Sequence, residues 1–293
     1  MAFNLQTFKT RALSAVVFVV IMAAGLFMNH WTFLLLFSVI HFGCWTGYIR
    51  LVEKIDPGYK EATRIHKYSA MIACWSFMLW MASDAYALKT ISLHDLGYGL
   101  CLISLIVIPV AESIFSRTKM VKNIFHSVFG LVYISLSFGL LVDIRNGIHG
   151  ADVQDKLKLG LKLVCAIIAA NWINDTMAYI VGSFIGKTPL SKISPKKTWE
   201  GTVGGFLLAV AAGGLLFSNI HIDNDLPSFQ WFIIIGVAAF AGTPGDLFES
   251  KLKRLAGVKD SGNMMPGHGG FLDRFDSLLF ASVFCWLYIK LFL

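Results

Sequence analysis

The chain is 293 residues long, 56% hydrophobic and 15% charged, with a formal net charge of +7. Soluble globular domains carry about 25% charged residues, and many apolar runs here approach or exceed the ~18 residues that cross a bilayer, so a soluble protein is excluded. The five cysteines fall one each in separate apolar segments with no CxxC pair, which argues against a zinc site or a disulfide framework.

Residues 12–28 follow Lys9 and Arg11 in the manner of a signal peptide, yet no small-x-small cleavage site follows and a second apolar run opens at Trp31. A membrane helix is expected there. Further helices are predicted at 31–49, 69–88, 96–112, 125–142, 159–184, 202–219, 231–249 and 271–292. The predicted fold is all-α, a polytopic integral membrane helical bundle of about nine transmembrane helices in a single domain, 1–293.

Lys and Arg concentrate in alternate loops. One set holds Lys9 and Arg11, then Arg50 to Lys67, Arg117 to Lys122, Lys187 to Lys197, and Lys251 to Arg274. By the positive-inside rule these loops and the N-terminus are expected on the cytoplasmic face of a multi-pass protein in the cell (inner) membrane. The opposite loops are poorer in base and carry Asp143, Asp152, Asp155, Asp223 and Asp225. A basic face suits anionic headgroups and an anionic substrate.

Three polar stretches interrupt the apolar pattern. Asn171, Asn174 and Asp175 stand inside an apolar helix, where a carboxylate costs about 2.5–3.5 kcal/mol, and Tyr179 shares a face with Asp175. That face reads as the lining of a cavity, while Ala178, Gly182 and Gly186 form a small-xxx-small ridge for close helix packing. The run Ser194-Pro195-Lys196-Lys197-Thr198-Trp199-Glu200-Gly201-Thr202 gathers hydroxyls and ammonium groups at a helix entrance, where backbone N–H groups favour anions. A basic juxtamembrane clamp would look similar.

The third stretch says most. If the helix over 231–249 continues, Asp246 and Glu249 form an i, i+3 pair, and Asp273 and Asp276 repeat that spacing at the start of the last helix. Lys251, Lys253, Arg254, Lys259, His268 and Arg274 surround them in sequence. Carboxylates are the ligands Mg²⁺ prefers, usually one or two alongside substrate phosphates. Acidic pairs ringed by base suit transfer at a nucleotide phosphate. A salt-bridged loop would not need the doubled spacing.

These residues resemble the phosphatidate cytidylyltransferases (CDP-diacylglycerol synthases). The similarity rests on Ser250, Lys253, Arg254, Lys259, Asp260, His268, Gly269, Gly270, Asp273, Arg274 and Asp276 at the family's spacing. Upstream it rests on Asn174-Asp175, Ala178-Tyr179, Gly182, and Ser194 through Gly201. It covers about 165–280 closely and the N-terminal helices by hydropathy only. Met265 stands where the family has Leu, Ile or Phe, and no acidic residue precedes Glu53 at the end of the second helix.

The resemblance implies the reaction CTP + phosphatidate → CDP-diacylglycerol + pyrophosphate, with Mg²⁺ and a second cation such as K⁺. Carried over, Asp246, Glu249, Asp273 and Asp276 are the expected metal ligands, and Asp246, Asp273, Lys259, His268 and Arg274 the expected catalytic group. Asn174, Asp175, Tyr179, Ser194, Lys196, Lys197, Thr198, Glu200, Ser250, Lys253, Arg254 and Asp260 are expected to bind substrate. Residues 158–293 would then be the catalytic part, and 1–157 N-terminal helices without an assigned role. The expected partners are CTP, phosphatidate and the bilayer, with a homodimer as candidate assembly and no nucleic acid. The rival readings are a CTP-dependent polyprenol or phytol kinase, which would release CDP, and a transporter, which would place broken helices in both halves.

Overall fold

A computed structural model describes residues 5–88, 91–115, 120–148, 152–223, 225–264 and 269–293. Its helices are α1 (Leu5–Phe27), α2 (His30–Ile55), α3 (Arg64–Trp80), α4 (Leu93–Phe115), α5 (Met120–Gly130), α6 (Leu136–Arg145), α7 (Val153–Ile185), α8 (Trp199–Asn219), α9 (Ser228–Leu255) and α10 (Leu272–Phe292). A π-turn over Leu131–Ser135 fuses α5 and α6 into one rod. A helix stands at every predicted place.

The predicted nine spans are not all found. Among the described residues six helices are long and apolar enough to cross a membrane: α2, the α5–α6 rod, α7, α8, α9 and α10. α3 has 17 residues, short of the ~20 that a 30 Å hydrocarbon layer requires. The described apolar stretch of α1 is Leu13–Phe27, and α4 is not among the six. The helix predicted at 69–88 also stops early, at Trp80. A 3₁₀ turn (Asp84–Tyr86) follows, and a two-residue antiparallel pairing begins there, β1 (Ala87–Leu88) with β2 (Ile91–Ser92).

Many helices are apolar on the outside as well as within. Val16, Val17 and Val20 of α1, and Leu207, Leu208, Leu215 and Leu216 of α8, are all exposed large hydrophobics. Water-facing surfaces do not carry apolar faces on this scale. The chain is a multi-pass membrane protein.

The chain forms two compact units. The first comprises Met1–Leu136 and Leu252–Phe275, the second Ser137–Lys251 and Asp276–Leu293. In the first, Asn29 starts α2 with a capping box, its side chain accepting from the Thr32 N–H at 2.9 Å. α2 buries Phe33, Phe37, Trp45 and Tyr48. The Trp45 indole donates to Ser135 Oγ at 2.8 Å, and His41 Nε2 lies at the same distance from it. Gly130 has no Cβ because the Trp45 ring fills that space.

In the second unit α7 and α8 pack through small residues. A Cβ on Gly201 would lie 2.6 Å from the Ala178 carbonyl oxygen, and one on Gly205 would lie 2.7 Å from both Ala178 N and Asn174 O. The small-residue ridge is therefore a contact between backbones. α9 runs unbroken through Pro244 to Leu255, which satisfies the condition for the Asp246–Glu249 pairing. Gly245 brings α9 against α10, where a Cβ would lie 2.7 Å from the Asp276 carbonyl oxygen.

Candidate active site

The segment between α7 and α8 folds back on itself instead of running straight into the helix. Leu190 N–H donates to Lys197 O at 2.7 Å, Trp199 N–H to Thr188 O at 2.9 Å, and Lys197 N–H to Ser194 O at 3.1 Å. Thr198 caps α8, accepting from Gly201 N–H at 3.2 Å. Glu200, in the first turn, accepts from the backbone N–H groups of Lys187 at 3.2 Å and Thr188 at 3.1 Å. Its carboxylate clasps the loop that carries Ser194, Lys196 and Lys197.

This loop roofs a cavity of about 440 Å³ within the second unit, in the size range of small-molecule sites. Asp175, Tyr179, Ser194, Lys196, Lys197, Thr198 and Asp246 line it. All were singled out from sequence. Ser183 and Thr202 line it too. Thr202 closes the hydroxyl-rich stretch noted in the sequence, whereas Ser183, one residue from a matched glycine, was not singled out.

Charge organises the cavity. Lys197 Nζ stands 2.6 Å from Asp246 Oδ2, with side-chain exposures of 30% and 23%. Burial alone would lower the Lys197 pKa, but Asp246, Asp175 and Asp276 outweigh it and hold the ammonium above its ordinary value. Behind this pair Glu249 is fully buried and Asp276 is 8% exposed. Asn174 is buried on α7, and its carbonyl oxygen has no hydrogen-bond partner among the described residues. No group of three or more His, Cys, Asp or Glu among the described residues is arranged to hold a metal ion.

Asp273 belongs to the first unit and is occupied there. Its Oδ1 takes the Lys253 ammonium at 2.8 Å; its Oδ2 takes Ser261 Oγ at 2.6 Å, Gly270 N–H at 2.7 Å and Ser261 N–H at 2.9 Å. Gly269 beside it adopts φ +83°, a conformation glycine reaches without steric cost. Asp273 thus ties the loop after α9 to the start of α10. Ser261, 3% exposed, is a partner the sequence did not reveal. Lys251, Arg254, Lys259, Asp260 and Arg274 are exposed and Ser250 is half-buried. His268 lies outside the described residues.

A model described as the cytidylyltransferase family matches residues 9–292. The chain is 29% identical over 294 residues to the phosphatidate cytidylyltransferase of Bacillus subtilis, covering 98% of each chain. It is 44% identical over 128 residues to phosphatidate cytidylyltransferase 5, chloroplastic, of Arabidopsis thaliana, covering 43% of this chain and 30% of that protein. A phosphatidate cytidylyltransferase of Thermotoga maritima is 41% identical over 129 residues, covering 43% of this chain and 48% of that protein. This chain therefore spans well under two thirds of the plant and Thermotoga proteins and nearly all of the Bacillus one.

Proposed function

This chain belongs to the cytidylyltransferase family, and from that premise we propose that it transfers CMP from CTP to phosphatidate, giving CDP-diacylglycerol and pyrophosphate. The observation that carries the reading is the cavity under the α7–α8 loop. There two lysines and several hydroxyls face Asp175 and Asp246, within a unit built of membrane-spanning helices. A polar anion-binding cavity at the ends of apolar helices suits one substrate that is soluble and one that is a lipid.

The phosphatidate phosphate is already an anionic nucleophile at neutral pH, so the site has little need of a strong base. Its task is to neutralise charge and align the attack on the α-phosphorus of CTP while pyrophosphate leaves. Lys196 and Lys197 supply cations for the phosphates, and Ser194 and Thr198 supply hydroxyl donors. Lys197 can exchange its contact with Asp246 for a phosphate, because an ammonium has three donors and a flexible stem.

Mg²⁺ fits the acidic side of this cavity, since it is normally held by one or two carboxylates with phosphates completing its shell. Asp246, which lines the cavity, would hold it, with the buried carboxylates of Asp276 and Glu249 behind, and K⁺ is the candidate second cation. Bound there, the ion would offset charge on the triphosphate and on the leaving pyrophosphate. Asp273, expected from the resemblance as a further metal ligand, is held by Lys253, Ser261 and Gly270 in the neighbouring loop. The basic loops suit the cytoplasmic face of the inner membrane, where CTP is available, and a homodimer is the proposed assembly.

The test uses purified protein in detergent with labelled CTP, phosphatidate and Mg²⁺, separating products by thin-layer chromatography and assaying pyrophosphate. CDP-lipid and pyrophosphate in equal amounts are expected. Release of CDP with a phosphorylated lipid would instead identify a lipid kinase and overturn the reading.

A further inference from the structure

The first unit contains a second cavity, of about 460 Å³, where the end of α2 meets the start of α3. Four cationic residues line it, Arg50, Lys60, Arg64 and Lys67, against a single carboxylate, Glu53. Glu53 is already neutralised, because Lys67 Nζ lies 2.8 Å from its Oε1 and is itself mostly buried. Arg50, Lys60 and Arg64 form no ion pair among the described residues. Their positive charge is therefore uncompensated at one concave site.

The backbone adds to it. α3 begins at Arg64 with no acidic residue in its first turn, so the positive end of its dipole lies beside these cations. A cation there is unfavourable in the isolated chain, and a bound anion reverses the sign of the interaction. The walls supply a second specification. Ile49, Tyr68 and Met71 also line the cavity, and Ile65, Tyr68 and Ile72 form an exposed apolar stripe at i, i+3, i+7 along α3. Cations at the mouth with an apolar track leading away match a phosphate carried on acyl chains better than a soluble phosphate.

We propose that this cavity is a binding site for the phosphate headgroup of an anionic phospholipid, with the acyl chains lying along the Ile65–Tyr68–Ile72 face of α3. The site sits in the part of the chain to which the sequence assigned no role. It needs no residue of the proposed catalytic cavity, so its failure and the failure of the catalytic reading are separable.

The experiment uses the full chain in phosphatidylcholine nanodiscs containing a photoactivatable phosphatidylglycerol, with cross-linked peptides mapped by mass spectrometry. Labelling within residues 64–72 is expected, and a photoactivatable phosphatidylcholine should not reproduce it. Arg50→Gln/Lys60→Gln/Arg64→Gln should cut labelling in that segment roughly 100-fold, on the scale of about a factor of five per interfacial basic residue, while labelling elsewhere persists. The single variant Lys60→Gln, at an exposed position, should show a partial loss without any change in melting temperature. Equal labelling by both lipids, or labelling indifferent to Lys60→Gln, would overturn the proposal. Displacement of the lipid by millimolar inorganic phosphate would also overturn it, by identifying a soluble anion as the ligand.

Discussion

Lys197 reaches from the loop before α8 to Asp246 in α9, Nζ to Oδ2 at 2.6 Å. The contact joins a residue chosen for binding phosphate to one chosen for binding metal, although 48 intervening residues separate them in sequence. It also gives the site a resting state in which each charge is satisfied before substrate arrives.

Asp246→Asn keeps the shape of the side chain and removes its charge. CDP-lipid formation should fall by at least about 100-fold, the scale of losing one preorganised charged group, with the protein still folded. Undiminished turnover would remove Asp246 from the proposed chemistry.

The raised Lys197 pKa fixes a pH dependence. A group whose folded pKa exceeds its unfolded value contributes stability that is complete below the unfolded value, here 10.5, and is lost as pH rises through the folded one. The melting-temperature deficit of Lys197→Met should therefore be constant from neutral pH to about pH 10 and narrow only beyond it. A deficit that closes near pH 8 would contradict the assignment.

Asp56 behaves in the opposite sense. It lies outside the six spans, where hydrogen bonds from Lys122 and His126 and the Lys122 charge outweigh burial and hold its carboxyl at about 2. Its stabilising contribution is present above its ordinary value of 3.8 and is lost as pH falls through about 2. Asp56→Asn should lower the denaturation midpoint at neutral pH, with the gap to the parent closing only in strong acid.

Gly205 tests the α7–α8 seam. Because an added Cβ would meet backbone at 2.7 Å, Gly205→Ala should cost about 1–3 kcal/mol, as overpacking does. Gly236 is the control in the same unit, since its nearest neighbour would be Val210 Cγ2 at 3.6 Å. Gly236→Ala should be neutral or slightly stabilising by helix propensity. Thermal unfolding in detergent measures both.

Asp273→Ala should release the loop after α9, because Lys253, Ser261 and Gly270 all lose their shared acceptor. Limited trypsin digestion should then cut after Lys259, where the parent and Asp246→Asn resist. Resistance in Asp273→Ala would show that the loop is held by other contacts.

Much of this was legible in the chain because it is local. Apolar run length located the helices, and an i, i+3 spacing is enough to put Asp246 and Glu249 on one face once α9 is known to continue. The lysines and hydroxyls before α8 were legible for the same reason. The end of α3 at Trp80 was not, since the residues after it remain apolar enough for helix and were claimed by a turn and the β1–β2 pairing.

The sequence by itself determined a helical membrane protein and a set of residues suited to phosphate and metal, because bilayer thickness and side-chain chemistry act on each segment separately. Only the tertiary structure decided which of those residues meet. Through-space pairing depends on how closely backbones approach, and here glycines at 201, 205 and 245 allow contacts a Cβ would forbid. That packing brings Asp175, Lys197 and Asp246 to one cavity, joins Asp273 to Lys253 and Ser261, and sets the Glu200 carboxylate against the loop before α8.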